Sequence, residues 1–257
     1  MVLQEALSFM SFKHFFYKQI FIGCYLFAFP AFSQQTIILN TALETPISNQ
    51  AQTGFADRVL AEAFQRMGYK LKTVQLPAER ALINANNGLD DGDLLRIGGL
   101  QKSYPNLIQV PEKIMDMDLV LFTKNKPLFQ VKGWESIMSS SVAIMTGWKI
   151  YEMNLARNKA LVHTENAQQL FSMLQKNRVD FAGYSRWSGL DYIQKRRLSE
   201  ITLLEPPLVK KAFYTYLHKK HEALVPKLAQ KIREMKEDGT IKSLFNSILK
   251  PLMLTTE

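Results

Sequence analysis

Helical and strand-like patterns of apolar residues alternate along most of this chain. Phe55, Val59, Ala63 and Met67 recur at the spacing of one helix face, and Gly68 ends that pattern. Short continuous apolar runs are typical of strands that are buried on both faces of a sheet. Strands are predicted at 36–39, 119–122, 142–145, 179–182, 201–204 and 212–217, and helices at 55–67, 81–85, 167–174, 185–197, 223–237 and 241–249. This alternation predicts an α/β fold with a parallel or mixed sheet.

The N-terminal segment has the pattern of a secretory signal. Lys13 and Lys18 precede an apolar run at 20–29, Pro30 interrupts the run, and residues 31–33 read Ala-Phe-Ser. We therefore predict that 1–33 is a signal peptide, that cleavage follows Ser33 and that the mature protein is periplasmic. An uncleaved anchor is the alternative, although the run is short of the ~20 residues that span a bilayer. The sequence does not decide between Met1 and Met10 as the start.

Cys24 is the only cysteine, and it lies within the predicted signal. The mature chain is therefore expected to contain no disulfide. A lipoprotein acylated at Cys24 is the alternative. Gly23 fits that alternative, but the apolar run continues past the cysteine.

The formal net charge of the chain is +9, and the basic residues are distributed along it. In an exported protein nucleic acid is a poor explanation for this charge, which is typical of a solvated surface. Binding of anionic ligands or of an anionic membrane surface is the alternative. No nucleophile, phosphate-loop or zinc-protease motif occurs, and His218 and His221 have no cysteine or acid pair beside them in the sequence. No cofactor and no metal are therefore expected.

Several short motifs occur in an order that resembles the family 3 extracellular solute-binding proteins of the polar amino acid type. They are Gly54-Phe55-Ala56-Asp57, Arg80 after a proline, Gly88 with Asp91, Thr146-Gly147 after a strand, 178–182 (Arg-Val-Asp-Phe-Ala) and Asp238-Gly239-Thr240-Ile241. The resemblance covers nearly all of the predicted mature chain. It implies a two-lobed periplasmic-binding-protein-like fold of type II, with crossings at a hinge near 122–126 and 210–216. It places 34–122 and 210–257 in the first lobe and 123–209 in the second.

The resemblance also implies that a monomeric protein captures a small-molecule ligand by hinge closure. The partner in the membrane is then a transporter permease or a sensor protein, and the sequence does not choose between them. A dehydratase or lyase on the same scaffold is the alternative from another class, with Glu44, Glu79 or Glu165 as possible acids. A degenerate binding protein whose cleft no longer closes is a third possibility.

Two departures from the family pattern concern the groups that hold a free amino acid. The segment 101–105 reads Gln-Lys-Ser-Tyr-Pro, without the arginine that usually binds the ligand's α-carboxylate. The segment Tyr184-Ser185-Arg186 lacks the carboxylate that usually binds the ammonium group. An uncompensated ammonium in a closed cleft is costly, so an ordinary amino acid is not the expected ligand.

Two arginines are the main candidates for the polar contacts of the ligand. Arg96 ends a strand at the edge where α/β lobes bind ligands, and a guanidinium matches a carboxylate with two hydrogen bonds. An ion pair with Asp91 or Asp93 is its alternative role. Arg80 lies near a helix start and has pairing with Glu79 or Asp57 as its alternative. We predict a carboxylate-bearing or otherwise anionic ligand with Arg96 as the main anchor.

The remaining candidates surround the same predicted cleft. The turn Thr146-Gly147 with Trp148 offers N–H donors at a helix start, or is simply a capped turn. Tyr184, Trp187 and Trp148 could stack on a ligand, although aromatic residues near helix starts more often pack. Ser185 is a further candidate for a ligand contact. Glu44 could bind a cationic part of the ligand, and a solvated loop acid is the alternative. We expect replacement of Arg186 to have little effect on binding.

Overall fold

The computed structural model of this protein describes residues 34–125 and 129–253. The predicted signal peptide, its cleavage site after Ser33 and Cys24 lie outside the described residues, as does Lys126 at the predicted first crossing.

The described chain alternates strands and helices, as the sequence pattern predicts. The strands are β1 (Thr36–Thr41), β2 (Lys70–Gln75), β3 (Gly92–Ile97), β4 (Leu107–Gln109), β5 (Met115–Thr123), β6 (Val142–Met145), β7 (Leu161–Thr164), β8 (Phe181–Ser185) and β9 (Thr202–His218). The α-helices are α1 (Phe55–Gln65), α2 (Ala78–Asn86), α3 (Lys149–Asn154), α4 (Ala167–Gln175), α5 (Arg186–Arg196), α6 (Val225–Glu237) and α7 (Thr240–Ile248). The sequence analysis did not predict β2, β4 or β7.

The strands form one mixed sheet in the order β2-β1-β3-β9-β5-β8-β6-β7, with β4 paired to β9. Strands β1, β2 and β3 are parallel to one another, and so are β6, β7 and β8. We call β1–β3 with α1 and α2 the first lobe, and β6–β8 with α3, α4 and α5 the second lobe. The predicted α/β class with a mixed sheet is confirmed.

The long antiparallel strands β5 and β9 connect the two lobes. Residues 115–119 of β5 pair with 209–213 of β9, while the end of β5 also pairs with β8 and the end of β9 pairs with β3. Strand β9 therefore joins the sheet of the first lobe, β5 joins that of the second, and the pairing of the two strands connects the lobes. The predicted residue boundaries of the lobes stay a prediction.

Strand β9 corrects one expectation from the sequence. Two strands were predicted at 201–204 and 212–217, but the structure has the single strand Thr202–His218. The register shifts between Leu119↔Val209 and Leu121↔Leu204, so residues 205–208 form a bulge. Prolines cannot donate to a strand ladder, and a bulge is one of the places in a sheet that tolerates them. Pro206 and Pro207 therefore interrupt the sequence pattern without ending the strand.

The C-terminal helix α7 packs against elements of both lobes. The ring of Phe245 contacts Phe55 of α1 at a centroid distance of 6.3 Å and Trp187 of α5 at 5.5 Å. Gly239 separates α6 from α7 with a φ of 80°, a backbone conformation that favours glycine. The predicted break at Asp238-Gly239 is confirmed.

Candidate functional site

The carboxyl ends of the parallel strands carry most of the residues predicted for the site. In the first lobe, the loop after β1 contains Glu44, and β3 contains Arg96 one residue before its end. In the second lobe, β6 leads into residues 146–148, and β8 ends with Tyr184 and Ser185. In open α/β sheets, ligands bind in the crevice outside these strand ends.

The loop after β1 is fixed to helix α1 through the carboxylate of Asp57. The hydroxyl of Ser48 donates to Asp57 Oδ1 at 2.8 Å, and the N–H groups of Asn49 and Gly54 donate to Oδ2 at 3.0 and 3.1 Å. Burial raises the pKa of Asp57, and these hydrogen bonds oppose the rise. The carboxylate thus holds the loop that carries Glu44 in a defined position.

Two hydrogen bonds connect this loop to the second lobe. The hydroxyl of Tyr184 donates to Glu44 Oε2 at 3.0 Å, and the hydroxyl of Thr45 donates to Asp191 Oδ2 at 2.8 Å. Lys195 also donates to Asp191 Oδ2, at 2.8 Å. Burial raises the pKa of Tyr184, and the nearby carboxylate of Glu44 raises it further. The Tyr184 hydroxyl therefore stays protonated and acts as the donor.

Aromatic side chains surround Tyr184 in the second lobe. The Trp148 ring lies 5.0 Å from the Tyr184 ring and 6.1 Å from the Tyr151 ring, measured between centroids. The Tyr151 hydroxyl lies 2.7 Å from the carbonyl oxygen of Val120 and 2.8 Å from that of Tyr184. Tyr184 is only 2 % exposed. The Tyr184 ring is therefore packed in the protein interior, which was the alternative to a ligand contact. Trp148 is half-buried, so part of its side chain remains accessible.

Arg96 forms an ion pair with Asp93, one of the two acids that were the alternatives for its partner. Its Nε donates to Asp93 Oδ2 at 2.8 Å, and Nη2 donates to the Ala78 carbonyl at 3.2 Å. Asp93 is fully buried, which raises its pKa, and Arg96 opposes that rise. The Nη1 group of Arg96 has no hydrogen-bond partner within 34–125 and 129–253. Asp93 thus orients the guanidinium, and the N–H donors of Nη1 remain unused.

Arg80 lies on the exposed side of α2. In the part of the chain that the structure describes, it forms an ion pair with neither Glu79 nor Asp57. Glu79 instead lies beside Tyr104, whose pKa is raised by burial and by that carboxylate. No contact in the described chain brings Arg80 to Arg96 or to the second lobe, so its ligand role stays a prediction.

Other groups of the protein occupy the N–H donors of the Thr146-Gly147 turn. The Gly147 N–H donates to Glu152 Oε1 at 2.6 Å, and the Thr146 N–H donates to the Thr164 carbonyl at 2.9 Å. Ser185 accepts from the N–H of Ser188 and so caps helix α5. The donors of the Thr146-Gly147 turn are thus used within the protein, in keeping with the capped-turn alternative, while the capping role of Ser185 was not predicted. The ligand contacts predicted at both places are untested.

Arg186 has a structural role that the sequence analysis missed. Its Nε donates to Asp118 Oδ2 at 2.9 Å, and both of its Nη groups donate to Glu205, with Nη2 3.0 Å from Oε2. Lys210 Nζ lies 3.7 Å from Asp118 Oδ1. The partners of Arg186 belong to β5 and β9, so this cluster ties α5 to both connecting strands. Asp118, an acid next to the apolar run 119–122, was the available signal.

The described residues contain no group of three or more His, Cys, Asp or Glu side chains arranged to hold a metal ion. His221 instead contacts Asp91 at 2.7 Å, as does Lys220 at 2.8 Å.

Among the helices in the described ranges, none has the length and hydrophobicity needed to cross a membrane.

Comparisons with known proteins identify the architecture. No protein-family model matches this chain. An uncharacterized protein of Shewanella oneidensis is 25% identical over 196 residues, which are 72% of each chain. The ligand-binding core of GluR0 in complex with L-glutamate superposes with a TM-score of 0.73 and 12% identity, covering 84% of this chain and 99% of that one. The chain has the two-lobed periplasmic-binding-protein-like fold.

A second solved structure has the same architecture. A histidine kinase sensor domain with similarity to periplasmic binding proteins superposes with a TM-score of 0.71 and 15% identity, covering 84% of this chain and 96% of that one. At these identities the similarity shows the fold and leaves ligand and partner open.

Proposed function

We propose that this protein is a periplasmic solute-binding protein that captures a small polar, carboxylate-bearing ligand between its lobes. Hinge closure would then present the bound form to a transporter permease or to a sensor protein in the membrane. The contacts Tyr184–Glu44 and Thr45–Asp191 carry this proposal, because they join the loop after β1 in the first lobe to strand β8 and helix α5 of the second. We take this arrangement, in which the two sides contact each other, as the closed form that a bound ligand would favour over an open one.

Arg96 is the proposed anchor for the ligand's carboxylate. The buried Asp93 holds its Nε, so the guanidinium is oriented before the ligand arrives and less conformational entropy is lost on binding. A carboxylate can pair with the remaining donors. Because Asp93 neutralises the charge of Arg96, we expect ligand affinity to depend more on the geometry of these hydrogen bonds than on net charge.

Glu44 is the proposed partner for a hydrogen-bond donor or a cationic group of the ligand. Its carboxylate is exposed and accepts one hydrogen bond from Tyr184, so it has further lone pairs to offer. Asp191 adds a second carboxylate nearby through Thr45. A ligand with a hydrogen-bond donor or a cationic group at the end opposite its carboxylate would complement this arrangement.

A thermal-shift screen of small carboxylic acids with the mature protein tests the proposal, since a ligand that binds only the native state raises the melting temperature. Calorimetry then compares Arg96→Lys and Arg96→Gln with the exposed control Arg58→Gln, using the acid found in the screen. Loss of a charge-assisted contact typically costs about 2–5 kcal/mol, which is roughly thirty- to several-thousand-fold in affinity. Arg96→Lys keeps the charge paired with Asp93 but loses the fork geometry.

We expect both Arg96 variants to bind at least thirtyfold more weakly, and Arg58→Gln to bind like the parent. Binding that is unchanged in folded Arg96→Lys would contradict the anchor. Turnover of prephenate or arogenate would replace the binding function with a dehydratase activity.

A further inference from the structure

A polar groove lies on the helical face of the second lobe, between α4 and α5. It encloses about 540 Å³, and its lining includes the carboxamide residues Asn166, Gln168, Gln169 and Gln175 together with Tyr192 and Arg196. None of the lining residues carries a carboxylate, and none is among the residues proposed for the cleft. The groove is therefore a separate feature with its own chemistry.

The guanidinium of Arg196 lies over an aromatic ring. Its Cζ is 5.8 Å from the centroid of the Tyr192 ring, and that ring stacks on Phe171 at 4.8 Å with an interplanar angle of 10°. No carboxylate within the described residues pairs with Arg196. This cation–π contact leaves the N–H donors of the guanidinium unused, so they can bind an oxyanion.

The nearby carboxamides present donors to the groove, because their oxygens are already occupied. Asn166 Oδ1 accepts from the Gln169 N–H at 2.9 Å, and Gln169 Oε1 accepts from the Glu165 N–H at 2.9 Å. Backbone N–H groups bond only to the oxygen of an amide, so the orientation of both side chains is fixed. Their NH₂ groups have no acceptor in the described chain. Gln175 differs, since its NH₂ donates to Glu200 at 3.3 Å.

The formal charges of the residues beside the groove nearly balance. Lys195 and Arg197 flank Arg196 at the end of α5, and Lys195 is paired with Asp191. Glu165 contributes only its backbone N–H to Gln169, and Glu200 accepts from the Gln175 NH₂ group, so both carboxylates keep their charge. Preference for an anion would therefore come from the unused donors of Arg196, Asn166 and Gln169 rather than from net charge.

We propose that this groove is a second ligand site, which binds the phosphate group of a small phosphate ester through Arg196 and the NH₂ groups of Asn166 and Gln169. A phosphate has the acceptor oxygens to use a guanidinium and two amide donors together. The same group occurs in soluble glycerol phosphates and in phospholipid headgroups. The proposal does not depend on the ligand of the cleft.

The test uses the mature protein and two variants that remove one positive charge each from neighbouring positions. Arg196→Gln removes the groove arginine, and Arg197→Gln is the matched control, since Arg197 is exposed and does not line the groove. Glycerol 3-phosphate is titrated to about 10 mM at constant ionic strength, which is high enough to detect millimolar binding. Binding is followed through the amide chemical shifts of residues 166–175 and 192–198. Flotation with phosphatidylglycerol vesicles tests the lipid form.

We expect saturable shifts in these segments that Arg196→Gln weakens at least tenfold and Arg197→Gln leaves within about twofold. Selective loss of vesicle binding in Arg196→Gln would also support the site and would assign it to a lipid headgroup. Absence of saturable binding to either probe would overturn the proposal. Equal weakening in both variants would overturn it as well, because it would indicate only general electrostatic attraction.

Discussion

The hydroxyl of Tyr184 donates a hydrogen bond to Glu44 Oε2 across 3.0 Å, and the two residues are 140 positions apart in the chain. Glu44 lies in the loop after β1 of the first lobe, and Tyr184 lies on β8 of the second. This contact ties the relative position of the lobes to two side chains that the sequence analysis had placed at the cleft.

Replacement of Tyr184 by Phe should weaken the contact between the lobes. The ring stays packed against Trp148 while the hydroxyl is lost, and a hydrogen bond of this kind contributes about 1 kcal/mol. We expect a small loss in the free energy of unfolding and a larger effect on ligand affinity. Chemical denaturation and calorimetry measure the two quantities. Tyr192→Phe is the control, because no acceptor for its hydroxyl exists within the described chain; equal effects of the two changes would contradict the account.

Replacement of Arg186 by Met should destabilise the protein. Arg186 and Asp118 have side chains that are only 11% and 13% exposed. Removal of one partner from a buried pair leaves the other charge uncompensated, which typically costs about 3 kcal/mol or more. The mid-point of urea unfolding measures the loss, with Arg157→Met as the control because its pair with Glu135 is largely exposed.

A stability loss in Arg186→Met no larger than that of Arg157→Met would show that the cluster does not hold the connecting strands. Replacement of Arg186 is still expected to have little effect on ligand binding. The structure adds that its partners Asp118 and Glu205 belong to β5 and β9.

The carboxylate of Asp91 should make stability depend on pH in acid. Burial raises its pKa, but hydrogen bonds from Lys220, the Ile38 N–H and His221 outweigh burial, so the pKa lies below the model-peptide value of 3.8. A depressed carboxyl pKa stabilises the folded state above the unfolded-state pKa, and that stabilisation is lost as the pH falls through the folded-state pKa.

We therefore expect Asp91→Asn to be less stable than the parent at pH 7, with a difference that shrinks below about pH 4. Thermal unfolding of both proteins between acid and neutral pH gives this difference. Asp116→Asn is the control, since Asp116 forms an exposed pair with Lys113. A difference between Asp91→Asn and the parent that stays constant with pH would contradict the assignment of these contacts to the ionised carboxylate.

The α/β class was predictable because it follows from local patterns, whereas the two-lobed fold was expected from the family resemblance. The stripe Phe55, Val59, Ala63 marks α1, and the run Leu119–Phe122 marks the buried part of β5. Strand β2 was missed because Lys70, Lys72 and Thr73 interrupt its apolar positions, and its burial pattern is mixed. Propensity and periodicity are weak signals for such half-exposed edge strands.

The site was less predictable, because its contacts are set by tertiary packing. Arg96 was identified correctly as a guanidinium at a strand end, but the sequence could not choose between Asp91 and Asp93 as its partner. The structure pairs Asp93 with Arg96 and Asp91 with Lys220 and His221. The pairing of Thr45 with Asp191 joins residues 146 positions apart, and no local pattern indicates it.

Distance measurement between spin labels on the two lobes tests the central claim, that the protein encloses its ligand by closure of the lobes. The chain's single cysteine, Cys24, precedes the predicted mature start, so labels can be introduced at the exposed positions Lys72 and Lys159 without a background thiol. A control pair at Gln50 and Lys72 lies within the first lobe. We predict that a saturating ligand shifts the Lys72–Lys159 distance distribution to shorter values and leaves the Gln50–Lys72 distribution unchanged. Saturation of the binding site with no change in the Lys72–Lys159 distribution would contradict the claim.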